Sequence, residues 1–300
     1  MPEGDNVWQA ATRMHAALAG KRLAASDFRV PAFATLDLAG WEVLEVISRG
    51  KHLLHRLAAP SEVTAPSEVA APSEVTAPSE VTAPSARLSL HTHLKMEGSW
   101  QVYAPGERWR KPAHTARVVL RAEDGTSAVG FSLGVVEVIP TAEEGRAVGH
   151  LGPDLLGEDW DPALAEANLR ARPDRAVGLA LLDQRNLAGI GNIYRNELCF
   201  LARVHPAAPV AAVRDLPGLV ATARRLLEAN KTRGARNTTG GYGPRNDSWV
   251  YGRAGQPCRR CRTRIAHGTL GEAAESAPGS WPVEQRDRDI YFCPSCQPVP

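Results

Sequence analysis

The chain has 300 residues, enough for two or three modest domains with their own cores. It has no apolar run of eighteen residues and no basic-then-apolar leader, so neither a transmembrane helix nor a secretory signal is expected and a cytoplasmic protein is. Net charge is +2, but residues 59–86 hold four glutamates and no lysine or arginine, which leaves +6 on the remainder.

The chain begins Met1-Pro2-Glu3-Gly4. Removal of Met1 would make Pro2 an N-terminal secondary amine, and an α-amino group with a pKa of about 7.7–8.0 is partly neutral at physiological pH. Such an amine attacking a sugar aldehyde carbon forms an iminium ion, which permits β-elimination of a neighbouring phosphate. Glu3 stands beside it as a general acid or base. Taken alone this start is common and carries little. Val7, Ala11, Met14 and Leu18 then recur at helical spacing, with Asp5 expected as the N-cap.

Short apolar segments at 41–47, 51–57, 88–91, 100–103, 116–120 and 135–139, separated by Gly, Pro and Asp turns, predict a β-sandwich or barrel. Lys51 opens the second of these, where it could hold a phosphate or sit as an ordinary strand-edge lysine. Between the second and third segments, residues 59–82 are four copies of Ala-Pro-Ser-Glu-Val-(Thr/Ala). A proline every sixth residue disfavours helix and sheet interiors alike, so this reads as a disordered acidic insertion.

From about 151 to 230 the periodicity is helical, with segments at 162–171, 177–186, 193–201 and 217–230. Between the second and third lies Gly189-Ile190-Gly191-Asn192, a tight turn in which Asn192 is placed to cap the next helix. Amides at a helix N-terminus suit a phosphate, although an ordinary helical hairpin would read the same way.

Cys258, Cys261, Cys293 and Cys296 form two Cys-x-x-Cys pairs, the ligand set of a closed structural Zn²⁺ site, one per chain. The thirty-one residues between the pairs exceed the usual spacing and include a flexible stretch at 271–280. Arg288 falls on the hairpin strand entering the second pair, and Cys199 reads as core. Paired metal spacing suits a reducing compartment. The late arginines, from Arg224 to Arg264, predict a polyanionic partner or, more plainly, a solvated surface. With four zinc positions filled and no second ligand cluster, a metal-dependent hydrolase is disfavoured. A zinc protein that binds DNA without cutting it would fit the basic C-terminal half and the cysteine pairs equally well, but would leave the amine-plus-carboxylate start unexplained.

Met1-Pro2-Glu3-Gly4, Arg49-Gly50-Lys51, His150-Leu151-Gly152-Pro153-Asp154, the turn at 189–196, Val250-Tyr251-Gly252-Arg253 and the cysteine pairs together resemble the formamidopyrimidine-DNA glycosylase and endonuclease VIII family of bacterial base-excision enzymes. The resemblance implies an α+β multidomain fold. Its parts would be an N-terminal catalytic β-sandwich with a leading helix (1–145), a helix–two-turn–helix domain (146–248) and a C-terminal zinc hairpin (249–300), with damaged DNA in a basic cleft between the halves and the protein a monomer. It further implies Pro2 as Schiff-base nucleophile, Glu3 as the carboxylate that protonates the opening sugar ring, and Lys51, Asn192 and Arg288 as phosphate contacts, with Arg253 also among the DNA-contacting residues. Met96 resembles the apolar wedge that fills the gap left by an extruded base, offsetting part of its unstacking cost. The oxidised-purine branch carries an Asp-Pro-Arg-Arg-Phe loop, whereas residues 130–137 here have no arginine. That absence, with Gly4, favours the endonuclease VIII branch, oxidised pyrimidines and weak discrimination of the opposite base. The loop at 237–243 is a candidate cover for the flipped base.

Overall fold

Glu3 and Asn6 together start the first helix, α1 (Gly4–Leu18). The Glu3 carbonyl accepts from the Val7 amide at 3.1 Å, and Asn6 Oδ1 accepts from the Glu3 amide at 3.4 Å. Asp5, expected as the cap, lies inside the first turn and sends its side chain elsewhere. The helix begins two residues early, at Gly4, which packs on backbone: its amide bonds the Gly189 carbonyl at 2.9 Å, and a Cβ would meet Gly189 Cα at 2.9 Å. Val7, Ala11, Met14 and Leu18 are all buried.

The computed structural model describes residues 2–60, 86–241, 247–271 and 288–299. It divides into two compact units, one made of Met1–Gln9, Arg49–Lys51 and His150–Pro300, the other of Ala10–Ser48 and His52–Gly149. The proline-rich repeat, the loop between the cysteine pairs and the end of the 237–243 loop lie outside the described residues. Among the described residues no helix is long and apolar enough to cross a membrane.

The second unit holds β1 (Leu23–Phe28), β2 (Glu42–Arg49), β3 (His52–Ala58), β4 (Arg87–His93), β5 (Ser99–Tyr103), β6 (Ala116–Ala122), β7 (Ser127–Phe131), β8 (Val135–Pro140) and a short α2 (Glu144–Val148). They form two four-stranded sheets, ordered β1-β6-β7-β5 and β2-β3-β4-β8. Trp100 ties the sheets together: its Nε1 donates to Thr92 Oγ1 at 3.1 Å, and its ring lies 4.8 Å from that of His55. Burial pushes the His55 pKa down to about 4, so this histidine is a neutral core residue near neutral pH. Two strands escape the sequence pattern. β1 buries only its ends, and β7 is buried at all five positions, so neither alternates. Residues 130–137 contain no long loop; Ser132 to Gly134 simply link β7 to β8.

The first unit contains α3 (Pro162–Arg170), α4 (Val177–Leu182), α5 (Asn192–Leu201), α6 (Leu216–Asn230) and the hairpin β9 (Ala266–Leu270) and β10 (Arg288–Phe292). Asp161 caps α3 and Asp215 caps α6, each before a proline in the first turn. Their apolar stripes meet in one core that includes Leu169, Leu181, Tyr194, Leu198, Leu219 and Leu227. Phe200, Val250, Cys258, Ile265 and Cys293 form a second cluster, so the cysteine module shares apolar contacts with α5.

Candidate active site and metal centre

The N-terminus of α5 has no side-chain cap of its own. Gly191 occupies the N-cap, and Asn192, expected there, is the first helical residue. The orphan amides find a partner 188 residues away in sequence: Glu3 accepts from Gly191 at 2.8 Å and Ile193 at 2.7 Å, with Tyr194 at 3.3 Å. Glu3 is 0% exposed, and a Cβ on Gly191 would sit 2.5 Å from its carboxyl carbon. Gly189, at φ +113°, turns the chain into this helix in a conformation that L side chains rarely adopt. The two glycines thus bring backbone close enough to hold a carboxylate delivered by residue 3. Pro2 precedes it, half-buried.

Lys51 is positioned by the turn before it. The Gly50 amide donates to Asp154 Oδ2 at 2.7 Å, and Arg49 bonds Asp159 and the Gly152 carbonyl. Burial raises the Asp154 pKa. Burial also lowers the Lys51 pKa to about 8; Glu3 opposes that shift, while Arg288 and Arg236 add to it. Glu3, Lys51, Arg236 and Arg288 therefore belong to one electrostatic neighbourhood.

Asn192 and Arg288 are joined through Asp289. Asn192 Nδ2 donates to the Asp289 carbonyl at 3.1 Å, as does Arg195 Nη2 at 2.9 Å, and Arg195 also bonds Asn192 Oδ1. Asn196 Oδ1 accepts from the Tyr291 amide at 2.7 Å. The start of α5 is stitched to β10, whose first residue is the exposed Arg288. Arg195 is fully buried with Nε and Nη1 unpartnered.

Arg253 is 9% exposed, and its guanidinium bonds the Trp249 and Pro257 carbonyls and Gln256. Met96 belongs to the other unit and is 57% exposed. Several residues of the site carried no signal in sequence. Glu197, buried, accepts from the amides of Trp249, Val250 and Tyr251 at 2.7–2.9 Å and from the Thr238 hydroxyl, and so holds the lead-in to the cysteines. Asp5, expected only as a helix cap, is buried and forms an ion pair beside Glu3 with Arg236, whose side chain is 13% exposed. Next to Arg236 opens a cavity of about 560 Å³, lined by Ile193, Asp247, Ser248, Tyr251 and Gln256 among others.

The four cysteine sulfurs lie within 4.8 Å of one another, with Cys261 Sγ 3.4 Å from Cys293 Sγ and 3.5 Å from Cys296 Sγ. A tetrahedron with metal–sulfur bonds of about 2.3 Å has edges of roughly 3.8 Å. The donors fit a metal ion, which would leave no open position. Replacing Cys258 by alanine is expected to release it, loosening β9–β10 and with them Arg288. Metal quantification and thermal unfolding check this; full retention of metal would contradict it.

Residues 1–131 match the family model of the formamidopyrimidine-DNA glycosylase N-terminal domain, and residues 151–232 match that of its H2TH domain. The chain is 51% identical to a probable endonuclease 8 2 of Streptomyces coelicolor, covering all of this chain and 95% of that one. It is 45% identical to endonuclease 8 2 of Mycobacterium tuberculosis, over 99% of this chain and 100% of the relative. It is 43% identical to the DNA-(apurinic or apyrimidinic site) lyase Nei2 of Mycolicibacterium smegmatis, over 99% of each. A similar solved fold is Lactococcus lactis Fpg (MutM) in complex with DNA containing an oxidized pyrimidine, with a TM-score of 0.71 at 21% identity, covering 99% of this chain and 100% of the other. With the carboxylate, lysine and turn geometry above, these matches establish that the chain belongs to the formamidopyrimidine-DNA glycosylase and endonuclease VIII family, on its endonuclease VIII-like branch.

Proposed function

We propose that the protein is a base-excision repair enzyme of the cytoplasm, a monomer that removes oxidised bases, pyrimidines favoured, and then cleaves the strand at the abasic site. The observation that carries this reading is Glu3: a fully buried carboxylate, one residue after Pro2, held by three amides at the start of α5.

In this mechanism Glu3 gives a proton to the ring oxygen of the damaged nucleotide's sugar. The neutral Pro2 amine bonds C1′ as the glycosidic bond breaks. The electron pair of that bond leaves with the base, which takes up the proton shed by the Pro2 nitrogen. The C1′–O4′ bond then opens as its oxygen keeps the proton from Glu3, leaving C1′ as an iminium. The resulting iminium acidifies C2′; loss of a C2′ proton expels the 3′ phosphate, and water releases the enzyme. Lys51, Asn192 and Arg288 hold the flanking phosphates, which fixes the backbone without reading sequence. Met96 fills the gap that the extruded base leaves in the stack. Arg253 acts indirectly, by shaping the turn that enters the cysteine module. Cys258, Cys261, Cys293 and Cys296 would hold a Zn²⁺ ion, which would supply rigidity to the hairpin carrying Arg288 and no chemistry.

Borohydride added during reaction on a duplex with one abasic site tests the reading. A reduced adduct mapping to the processed N-terminus supports it. Processed protein that binds the duplex without forming an adduct would make this a non-cutting damage-binding module.

Lys51 adds a pH prediction. Below about 8 its ammonium is charged and holds a phosphate; as pH rises through that value the free protein loses the charge. Affinity for a non-cleavable abasic analogue should therefore fall across this range, and Lys51→Arg, charged throughout, should flatten the profile. An unchanged profile in the variant would assign the step to another group.

A further inference from the structure

The chemistry proposed above has no use for Asp5, yet this side chain is 1% exposed and heavily bonded. It accepts from Arg236 Nε at 2.8 Å and Nη2 at 2.6 Å, from the Tyr194 hydroxyl at 2.7 Å and from the Asn6 amide at 2.8 Å. Arg236 reaches it from 231 residues away, its guanidinium 4.9 Å above the Tyr194 ring and its side chain 13% exposed. The third nitrogen of that fork, Nη1, stops 4.0 Å from Glu3 Oε1.

A buried guanidinium so close to a carboxylate would ordinarily close on it, because planar two-point pairing is its strongest contact. Here two of its nitrogens are already taken. A Glu3 clamped by arginine would be a poor proton carrier, since a general acid must hold a proton before it can give one. The Glu3 charge also acts on Lys51, Arg195 and the phenols of Tyr194 and Tyr251, so the carboxylate belongs to a wider set of interacting groups.

We propose that Asp5 is a positioning residue that holds Arg236 one contact short of Glu3, keeping Glu3 free to carry the proton for base release. The proposal rests on Glu3 being the proton donor. It assigns base release, and not the later elimination, to the Asp5–Arg236 pair.

Asp5→Asn keeps the size of the side chain and removes its charge. Three quantities are measured: single-turnover base release from a duplex with one oxidised pyrimidine, lyase cleavage of a preformed abasic site, and affinity for a non-cleavable abasic analogue. Base release should fall about tenfold or more, while the other two stay within about threefold of the wild type. Adding Arg236→Gln should recover most of the loss, because the freed guanidinium is gone. A merely structural role predicts the opposite: all three quantities fall together with thermal stability, and the double variant is worse than the single. Parallel losses, or a double variant no better than Asp5→Asn, would overturn the proposal. Glu3→Gln is run alongside. If it still releases base, the reading of Glu3 fails and the proposal with it. If it is inert while Asp5→Asn works at full rate, the proposal fails alone.

Discussion

Retaining Met1, or replacing Pro2 by glycine, is expected to abolish strand cleavage at abasic sites and the borohydride-trapped adduct with it. The two changes act differently. With Met1 in place the Pro2 nitrogen is an amide, its lone pair delocalised and useless as a nucleophile. Glycine keeps a free amine but loses the ring that fixes it, and well-oriented intramolecular nucleophiles owe effective molarities of about 10⁵ M or more to such placement. Neither change touches the Glu3–α5 contacts, the Lys51 turn or the cysteine module, so DNA affinity should be preserved. Undiminished cleavage by either form would remove the imine from the mechanism.

Glu3→Gln is expected to lose base removal by a factor of about 10²–10⁴, the usual contribution of a positioned general acid. Cleavage of a preformed abasic site should suffer less, because there the ring is already able to open without a departing base. The glutamine carbonyl still accepts hydrogen bonds from α5, but its amide brings N–H groups toward the same amides, so thermal unfolding must accompany the kinetics. Gly191→Ala gives a companion test that leaves the carboxylate intact. Its Cβ would fall 2.5 Å from Glu3 Cδ and 2.8 Å from Oε1, so Glu3 must move. Base removal should drop in that variant too. Equal loss of both activities in Glu3→Gln would contradict the role assigned to Glu3.

The helical half of the fold was legible because its signals are local. Asp161 and Asp215 stand before prolines, and apolar residues recur every three or four positions, so α3, α5 and α6 lie within a residue or two of where the pattern puts them. Six strands, β2 to β6 and β8, were equally readable as short apolar segments between turn residues. β1 and β7 were not, because one buries only its ends and the other both faces. The N-cap of α5 was misread for a related reason: Asn192 is a good capping residue by type, but the acceptor comes from Glu3, which no local rule connects to it.

Chemistry follows the same division. A proline at position 2 beside a carboxylate, a lysine after Arg-Gly, a Gly-x-Gly-Asn turn and two cysteine pairs are covalent facts of the chain, and with their order they were enough to name a family. What only the tertiary structure decided is which groups share a space. Residues 1–9 and 49–51 join the unit formed by residues 150–300, so Glu3, Lys51, Arg236 and Arg288 act on one another although up to 285 positions separate them. Asp5 and Arg236 carry no motif, and Arg253 sits within one yet turns its guanidinium onto carbonyls. The reason is physical: a sequence states which charges exist, but burial and distance set what each charge does, and both arise only when distant segments pack.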